Sequence, residues 1–172
     1  VRNGGEIPYP VFTENFHYEC ELVVAMGSGG YNIPLSEANQ HIFGYAVGLD
    51  MTRRDHQLGV IEKGLPWEIT KGFDHSAPIG PISTVKEIGI MTKGHVKLKL
   101  NGEVKQDADI SLQIWKIDEI ISKISQQHRL MPGDIIMTGT PAGVGAVVKG
   151  DVLDCSVDRL EPMQLKIGDQ AK

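Results

Sequence analysis

The sequence predicts an α+β domain dominated by mixed β-sheet, with few and short helices. Three observations predict it. Short apolar runs rich in β-branched residues recur from His17 to Ile167, bounded by Gly, Pro, Asn or Asp. Residues 95–106 alternate in character on both sides of Asn101-Gly102, the signature of a β-hairpin with a type I′ turn. Helical spacing is confined to Ile117, Ile120, Ile121 and Ile124 behind Asp118, which predicts one helix from about 117 to 128.

In chain order, residues 1–16 read as an irregular lead-in, with Pro8 and Pro10 bracketing Tyr9. The stretch His17–Val24 reads as a strand in which Glu19 and Glu21 share a face and Cys20 points the other way. Two like charges on one face repel unless a cation sits between them. Two solvated acids on an exposed edge strand are the plain alternative. Gly27–Gly30 forms a loop tip and lacks the Gly-Lys-Ser/Thr ending of a phosphate loop, which excludes nucleotide binding there. Ser36 to His41 suits one or two helical turns capped by Ser36.

Ile42–Asp50 is a second strand with unlike faces. Phe43, Tyr45, Val47 and Leu49 are bulky, whereas Gly44, Ala46 and Gly48 are small and lead to Asp50. A small face lets another backbone or an ion approach closely, although tight strand packing ended by a turn aspartate fits the same residues. Residues 51–64 suit a short helix or ordered loop. Residues 66–81 form a long Pro- and Gly-rich connection carrying Lys71, and Trp67 and Phe73 argue that it is ordered. A lone loop lysine is ordinarily solvated. In the hairpin the Lys residues are expected in water and the Val and Leu residues in the core. Pro132-Gly133-Asp134 turns into a short buried strand at 135–138, then a glycine-rich loop at 139–145. That loop is no phosphate loop either, but such loops present N–H groups to carboxylates. Val152–Val157 and Met163–Ile167 are closing strands.

Residues 1–172 suit one domain with a sizeable core. The net charge of −5 argues against nucleic acid and anionic membranes as partners. No apolar run approaches the ~18 residues needed to span a bilayer, and a cytoplasmic protein is the default expectation. Cys20 and Cys155, without motif spacing, are expected as reduced buried thiols rather than a disulfide.

Taken together, His17-Tyr18-Glu19-Cys20-Glu21-Leu22, Gly48-Leu49-Asp50-Met51-Thr52-Arg53-Arg54-Asp55, Lys71-Gly72-Phe73-Asp74 and Pro132-Gly133-Asp134 with Thr138–Gly145 resemble the ordered motifs of the fumarylacetoacetate hydrolase family. The resemblance covers nearly the whole chain from about residue 16. The Leu49–Asp55 wording and Gln113-Ile114-Trp115 are most similar to its fumarylpyruvate-cleaving branch, which serves aromatic-acid breakdown through gentisate.

The resemblance implies a rolled mixed β-sandwich with a metal site at one open end, usually in a homodimer. It implies that Glu19, Glu21 and Asp50 hold a divalent cation, and three hard oxygen donors without a Cys or His cluster suit Mg²⁺, with Mn²⁺ or Ca²⁺ as alternatives. Lys71 matches a lysine beside the metal. Gln57 matches a substrate-contacting glutamine and Thr138 a threonine whose hydroxyl meets the substrate, with Gly139 and Thr140 adjoining. The implied activity is hydrolysis of a C–C bond in acylpyruvates, with fumarylpyruvate to fumarate and pyruvate as the leading case. Oxaloacetate decarboxylation or dienedioate isomerisation and decarboxylation on the same site are the alternatives, and a non-catalytic metal- and carboxylate-binding domain is a rival of another class. Family members usually carry a Gly-Arg-Asn-Tyr stretch and a lid helix with a water-activating His and Glu. No such stretch occurs here, so the lid is expected to precede Val1. His17 is the substitute candidate for a catalytic group, though its place on the Glu19 face better suits orienting a ligand.

Overall fold

The computed structural model describes residues 1–171. The chain opens with β1 (Glu6–Tyr9), β2 (Phe16–Tyr18) and β3 (Cys20–Met26), then β4 (Ile42–Leu49) and the short β5 (Thr52–Arg53). Two helices follow, α1 (Arg54–Glu62) and α2 (Glu68–Lys71). β6 (Ser83–Thr84) and α3 (Val85–Ile88) lead into the hairpin of β7 (His95–Leu100) and β8 (Glu103–Asp109). The longest helix, α4 (Ile117–Gln127), precedes β9 (Ile135–Met137), β10 (Gly145–Ala146), β11 (Val152–Val157) and β12 (Met163–Gln170).

Two sheets make the sandwich. One runs β1-β12-β11-β7-β8 and the other β6-β4-β3-β9, while β10-β2-β5 forms a third, small sheet. The mixed character comes from the parallel pairing of β1 with β12; the other ladders are antiparallel. Leu22 and Val24 of β3 and Tyr45, Val47 and Leu49 of β4 share one core with Leu98, Leu153, Cys155 and Val157 of the larger sheet. Every residue of β3 is buried, so this strand is covered on both faces.

Several expectations meet the structure directly. The hairpin turn has Asn101 at φ 52° and Gly102 at φ 84°, the two positive values that a type I′ turn requires. The helix begins at Ile117 and ends at Gln127. The small face of β4 serves close approach: a Cβ on Gly44 would overlap the Ser83 carbonyl oxygen of β6, and one on Gly48 would overlap Val23. Cys20 and Cys155 are free and buried, and the second thiol is pushed well up by a hydrogen bond with the first and by burial.

Other expectations need correction. The lead-in is not irregular throughout, because β1 hydrogen-bonds along the edge of the larger sheet. The strand read from His17 to Val24 is two strands that part at Glu19. β2 pairs with β10 and β5, whereas β3 pairs with β4 and β9, so the chain changes sheets at that residue. Ser36 does not cap the turn at Ala38–His41, which follows Glu37 with no side-chain cap. Lys71 ends a short helix rather than lying in open loop. Val104 lies opposite Lys99 and is half exposed, a register shift between Leu98 and Lys99 then sets Gln106 opposite Leu98, and Lys97 pairs with Asp107 at 2.9 Å. In β9 only Ile136 is buried.

Candidate metal centre and active site

Three elements converge beside the sheet change at Glu19. Glu19 lies between β2 and β3, Glu21 is the second residue of β3, and Asp50 follows β4. The Asp50 N–H donates to the Glu19 carbonyl at 2.8 Å, which holds these two residues side by side. Glu21 pairs with Gly48 on the same strand pair, and the absence of a side chain at Gly48 lets Val23 pack against that strand. The result is that one carboxylate oxygen from each of Glu19, Glu21 and Asp50 lies within 4.8 Å of the others.

Three carboxylates at that separation repel strongly unless cations face them. Lys71 Nζ donates to Glu19 Oε2 at 2.8 Å and to Asp50 Oδ2 at 2.5 Å. Its short helix is fixed from behind: Phe73 packs edge-on against Phe16 at 6.0 Å, and the Arg53 guanidinium lies 4.4 Å above the Phe73 ring. Arg54, at the start of α1, pairs with the other Glu19 oxygen and also donates to Gln57 Oε1. Glu21 has no such cation. Its Oε2 accepts the Gly139 N–H at 2.7 Å, and burial, opposed by that bond and reinforced by Asp50 and Glu19, pushes its pKa up to about 7. Burial also raises Asp50, against the hydrogen bond from Lys71. An all-oxygen donor set with one carboxyl held near neutrality is suited to a hard divalent cation, whose charge would draw off that proton.

The remaining expected residues gather around the same centre with distinct partners. Gln57 is buried on α1, and with its carbonyl oxygen taken by Arg54 its amide NH₂ remains a donor. His17 has both ring nitrogens engaged: Nε2 bonds Asn15 Oδ1 at 2.8 Å and Nδ1 accepts from Arg54 Nε at 3.4 Å. Burial and then Arg54 lower its pKa, consistent with a neutral ring that accepts at Nδ1. The Thr138 hydroxyl donates to the Leu22 carbonyl at 2.8 Å and accepts from Gln113 Nε2 at 2.9 Å. The Thr140 hydroxyl donates to the Cys20 carbonyl at 2.8 Å. In this structure the groups of residues 138–140 therefore brace β3.

Arg54, Gln113 and Gln106 join the centre through contacts between segments distant in the sequence. Arg54 was visible inside the Leu49–Asp55 motif. Gln106 left no signal, because the regular hairpin register would pair it with Lys97 and only the shift between Leu98 and Lys99 sets it opposite Leu98.

The rolled sandwich and its acidic centre define a class. Residues 1–168 match the family model described as fumarylacetoacetate hydrolase, C-terminal, and the chain belongs to that family. It is an enzyme of the family's metal-dependent hydrolytic type. Among its relatives, a fumarylpyruvate hydrolase of Ralstonia sp. is 40% identical over 168 residues, 98% of this chain and 87% of the relative. The crystal structure of fumarylpyruvate hydrolase from Pseudomonas aeruginosa, in complex with Mn²⁺ and pyruvate, superposes with a TM-score of 0.96 at 45% identity, covering 99% of this chain and 74% of that one. The mitochondrial oxaloacetate tautomerase of Homo sapiens is 40% identical over 164 residues, 95% of this chain and 74% of the relative. No helix among the described residues is long and apolar enough to cross a membrane.

Proposed function

We propose that the protein hydrolyses the C–C bond of a 2,4-dioxo acid, with fumarylpyruvate as the leading substrate and fumarate and pyruvate as products, in aromatic-acid breakdown through gentisate. The observation that carries this reading is the meeting of three carboxylate oxygens within 4.8 Å beside Lys71 and Arg54. The likeness to two fumarylpyruvate hydrolases supports the choice of substrate. Glu19, Glu21 and Asp50 are assigned as metal ligands, for Mg²⁺ first and Mn²⁺ or Ca²⁺ as alternatives. A cytoplasmic homodimer completes the proposal.

A bound cation would supply a Lewis acid for the substrate carboxylate and its neighbouring oxo oxygen. Lys71 adds fixed positive charge beside the same oxygens, where negative charge grows as the C–C bond breaks. The Gln57 amide donates to a substrate oxygen, and residues Thr138, Gly139 and Thr140 border the substrate while holding β3. Water adds to the distal carbonyl, the electrons of the broken bond pass to the pyruvate side, and a proton returns to carbon to give pyruvate. Because both His17 nitrogens are engaged, His17 is assigned to orienting Arg54. Proton removal from water is assigned to a His–Glu pair of the family's lid type.

Oxaloacetate chemistry on the same centre is the second reading, favoured by the 40% identity to the human tautomerase. The discriminating experiment assays the Mg²⁺- and Mn²⁺-loaded protein against fumarylpyruvate, acylpyruvates with uncharged tails, oxaloacetate and dienedioates. Uncharged tails belong in the panel because an apolar cavity of about 530 Å³, with Ile110 and Trp115 in its wall and neither Lys nor Arg, borders Thr138–Thr140. Release of pyruvate from fumarylpyruvate faster than from the others is expected. Turnover of oxaloacetate alone would replace the first reading by the second.

A further inference from the structure

Glu19 and Glu21 are separated by one residue, so the spread of their carboxylates follows the backbone of Cys20. On one side that backbone is secured by β4, through the bond from the Asp50 N–H to the Glu19 carbonyl and the pairing of Glu21 with Gly48. On the other side β9 accompanies β3 only at Val23, Val24 and Ala25, and its partner residues end at Met137. Thr138 keeps contact by donating both its N–H and its hydroxyl to the Leu22 carbonyl. Gly139 then turns away at φ 100°, giving its N–H to the Glu21 side chain rather than to a backbone carbonyl. Where the ladder should continue at Cys20, no strand among the described residues lies on that side.

A buried side chain takes the strand's place. Gln106 projects from β8, opposite Leu98, and is only 1% exposed. Its Oε1 accepts the Cys20 N–H at 3.0 Å. Its Nε2 donates to Thr140 Oγ1 and to the Pro141 carbonyl, each at 2.8 Å. Thr140 returns the connection by donating its hydroxyl to the Cys20 carbonyl at 2.8 Å. One carboxamide and one hydroxyl thus satisfy both backbone groups of the residue between the two glutamates, in the manner of a neighbouring peptide unit. A buried amide with its acceptor and both donors engaged is fixed in orientation, unlike an apolar residue of the same volume.

We infer that Gln106 is a positioning residue for the metal centre: its carboxamide replaces the missing strand at Cys20, sets the separation of Glu19 and Glu21, and ties them to the loop that holds Glu21 through Gly139. The inference rests on the reading of Glu19, Glu21 and Asp50 as cation ligands. Partners one step removed from a metal commonly change its affinity by about 10- to 100-fold when removed. A residue that merely fills the core would lower thermal stability in the same way but leave the affinity of the folded protein unchanged.

The experiment titrates Mn²⁺ into wild type, Gln106→Met, Thr140→Val and the double variant, following free Mn²⁺ by electron paramagnetic resonance at a temperature where circular dichroism shows each to be folded. Either single variant is expected to bind Mn²⁺ at least about tenfold more weakly. The double variant should lose less than the product of the two, because both act through Cys20. If Gln106→Met does not fold, Thr140→Val tests the same brace from the loop side. Affinity within twofold of wild type in a folded variant, or fully multiplicative losses in the double variant, would overturn the inference while leaving the metal centre standing. A wild-type protein that binds no Mn²⁺ would overturn the centre and this inference together.

Discussion

Lys71 Nζ lies 2.5 Å from Asp50 Oδ2, so an ammonium group carried by a four-residue helix directly faces an acid at the end of a core strand. The same ammonium reaches Glu19 at 2.8 Å. It therefore lowers the repulsion among the carboxylates. Lys71→Ala is expected to reduce turnover at saturating metal by roughly 100-fold or more, the scale of losing one charge-stabilising donor. Mn²⁺ affinity should fall far less. Steady-state rates set beside metal titrations check this, and equal losses in both would make Lys71 a structural residue only.

Glu19→Gln and Asp50→Asn keep side-chain volume and remove one negative charge each. Both variants should bind Mn²⁺ weakly and turn over almost no substrate. A ligand that binds only the folded state raises the melting temperature. Wild type should thus melt higher on addition of Mg²⁺ or Mn²⁺, with most of the gain lost in the variants. Wild-type rates from either would remove that residue from the centre.

Glu21 supplies a pH signature. Its pKa in the fold, about 7, stands above the ordinary value of 4.5, chiefly because the carboxyl is buried. The folded metal-free protein holds that proton more tightly than the unfolded chain does. The associated stability is complete below 4.5 and is lost as pH rises through about 7. Metal affinity runs the opposite way, since the cation must displace the proton, and should drop about tenfold per pH unit below about 7. Mn²⁺ titrations across this range, with melting curves of the metal-free protein, read both slopes. A flat affinity would show that Glu21 is already ionised at low pH.

Gly44 tests the close approach of two strands. A Cβ there would overlap the Ser83 backbone carbonyl, which cannot rotate aside as a side-chain atom can. Gly44→Ala should destabilise the fold by about 1–3 kcal/mol, the usual range for overpacking a tight site. Thermal melts give the value. An unchanged melting temperature would mean that β6 separates from β4 without penalty.

Much of the centre was legible in the sequence because strand geometry is local. Glu19 and Glu21 were placed on one face by the alternation of side chains, and the Gly44-Ala46-Gly48 face led to Asp50 by the same rule. Asn101-Gly102 specified its turn because only residues tolerant of positive φ fit there. Lys71 was harder, since nothing in a Pro- and Gly-rich connection states which way a lysine points.

By itself the sequence determined the class of fold, the acids that share a face, the hairpin and the long helix, since each follows from neighbours a few residues apart. Tertiary structure alone decided that the chain changes sheets at Glu19, that β1 joins β12 from the far end of the chain, and that Gln106 reaches Cys20 across 86 positions. Hydrogen bonds between distant segments leave no periodic trace, because the partner of a buried polar group is chosen by how the layers pack and not by the spacing of residues along the chain.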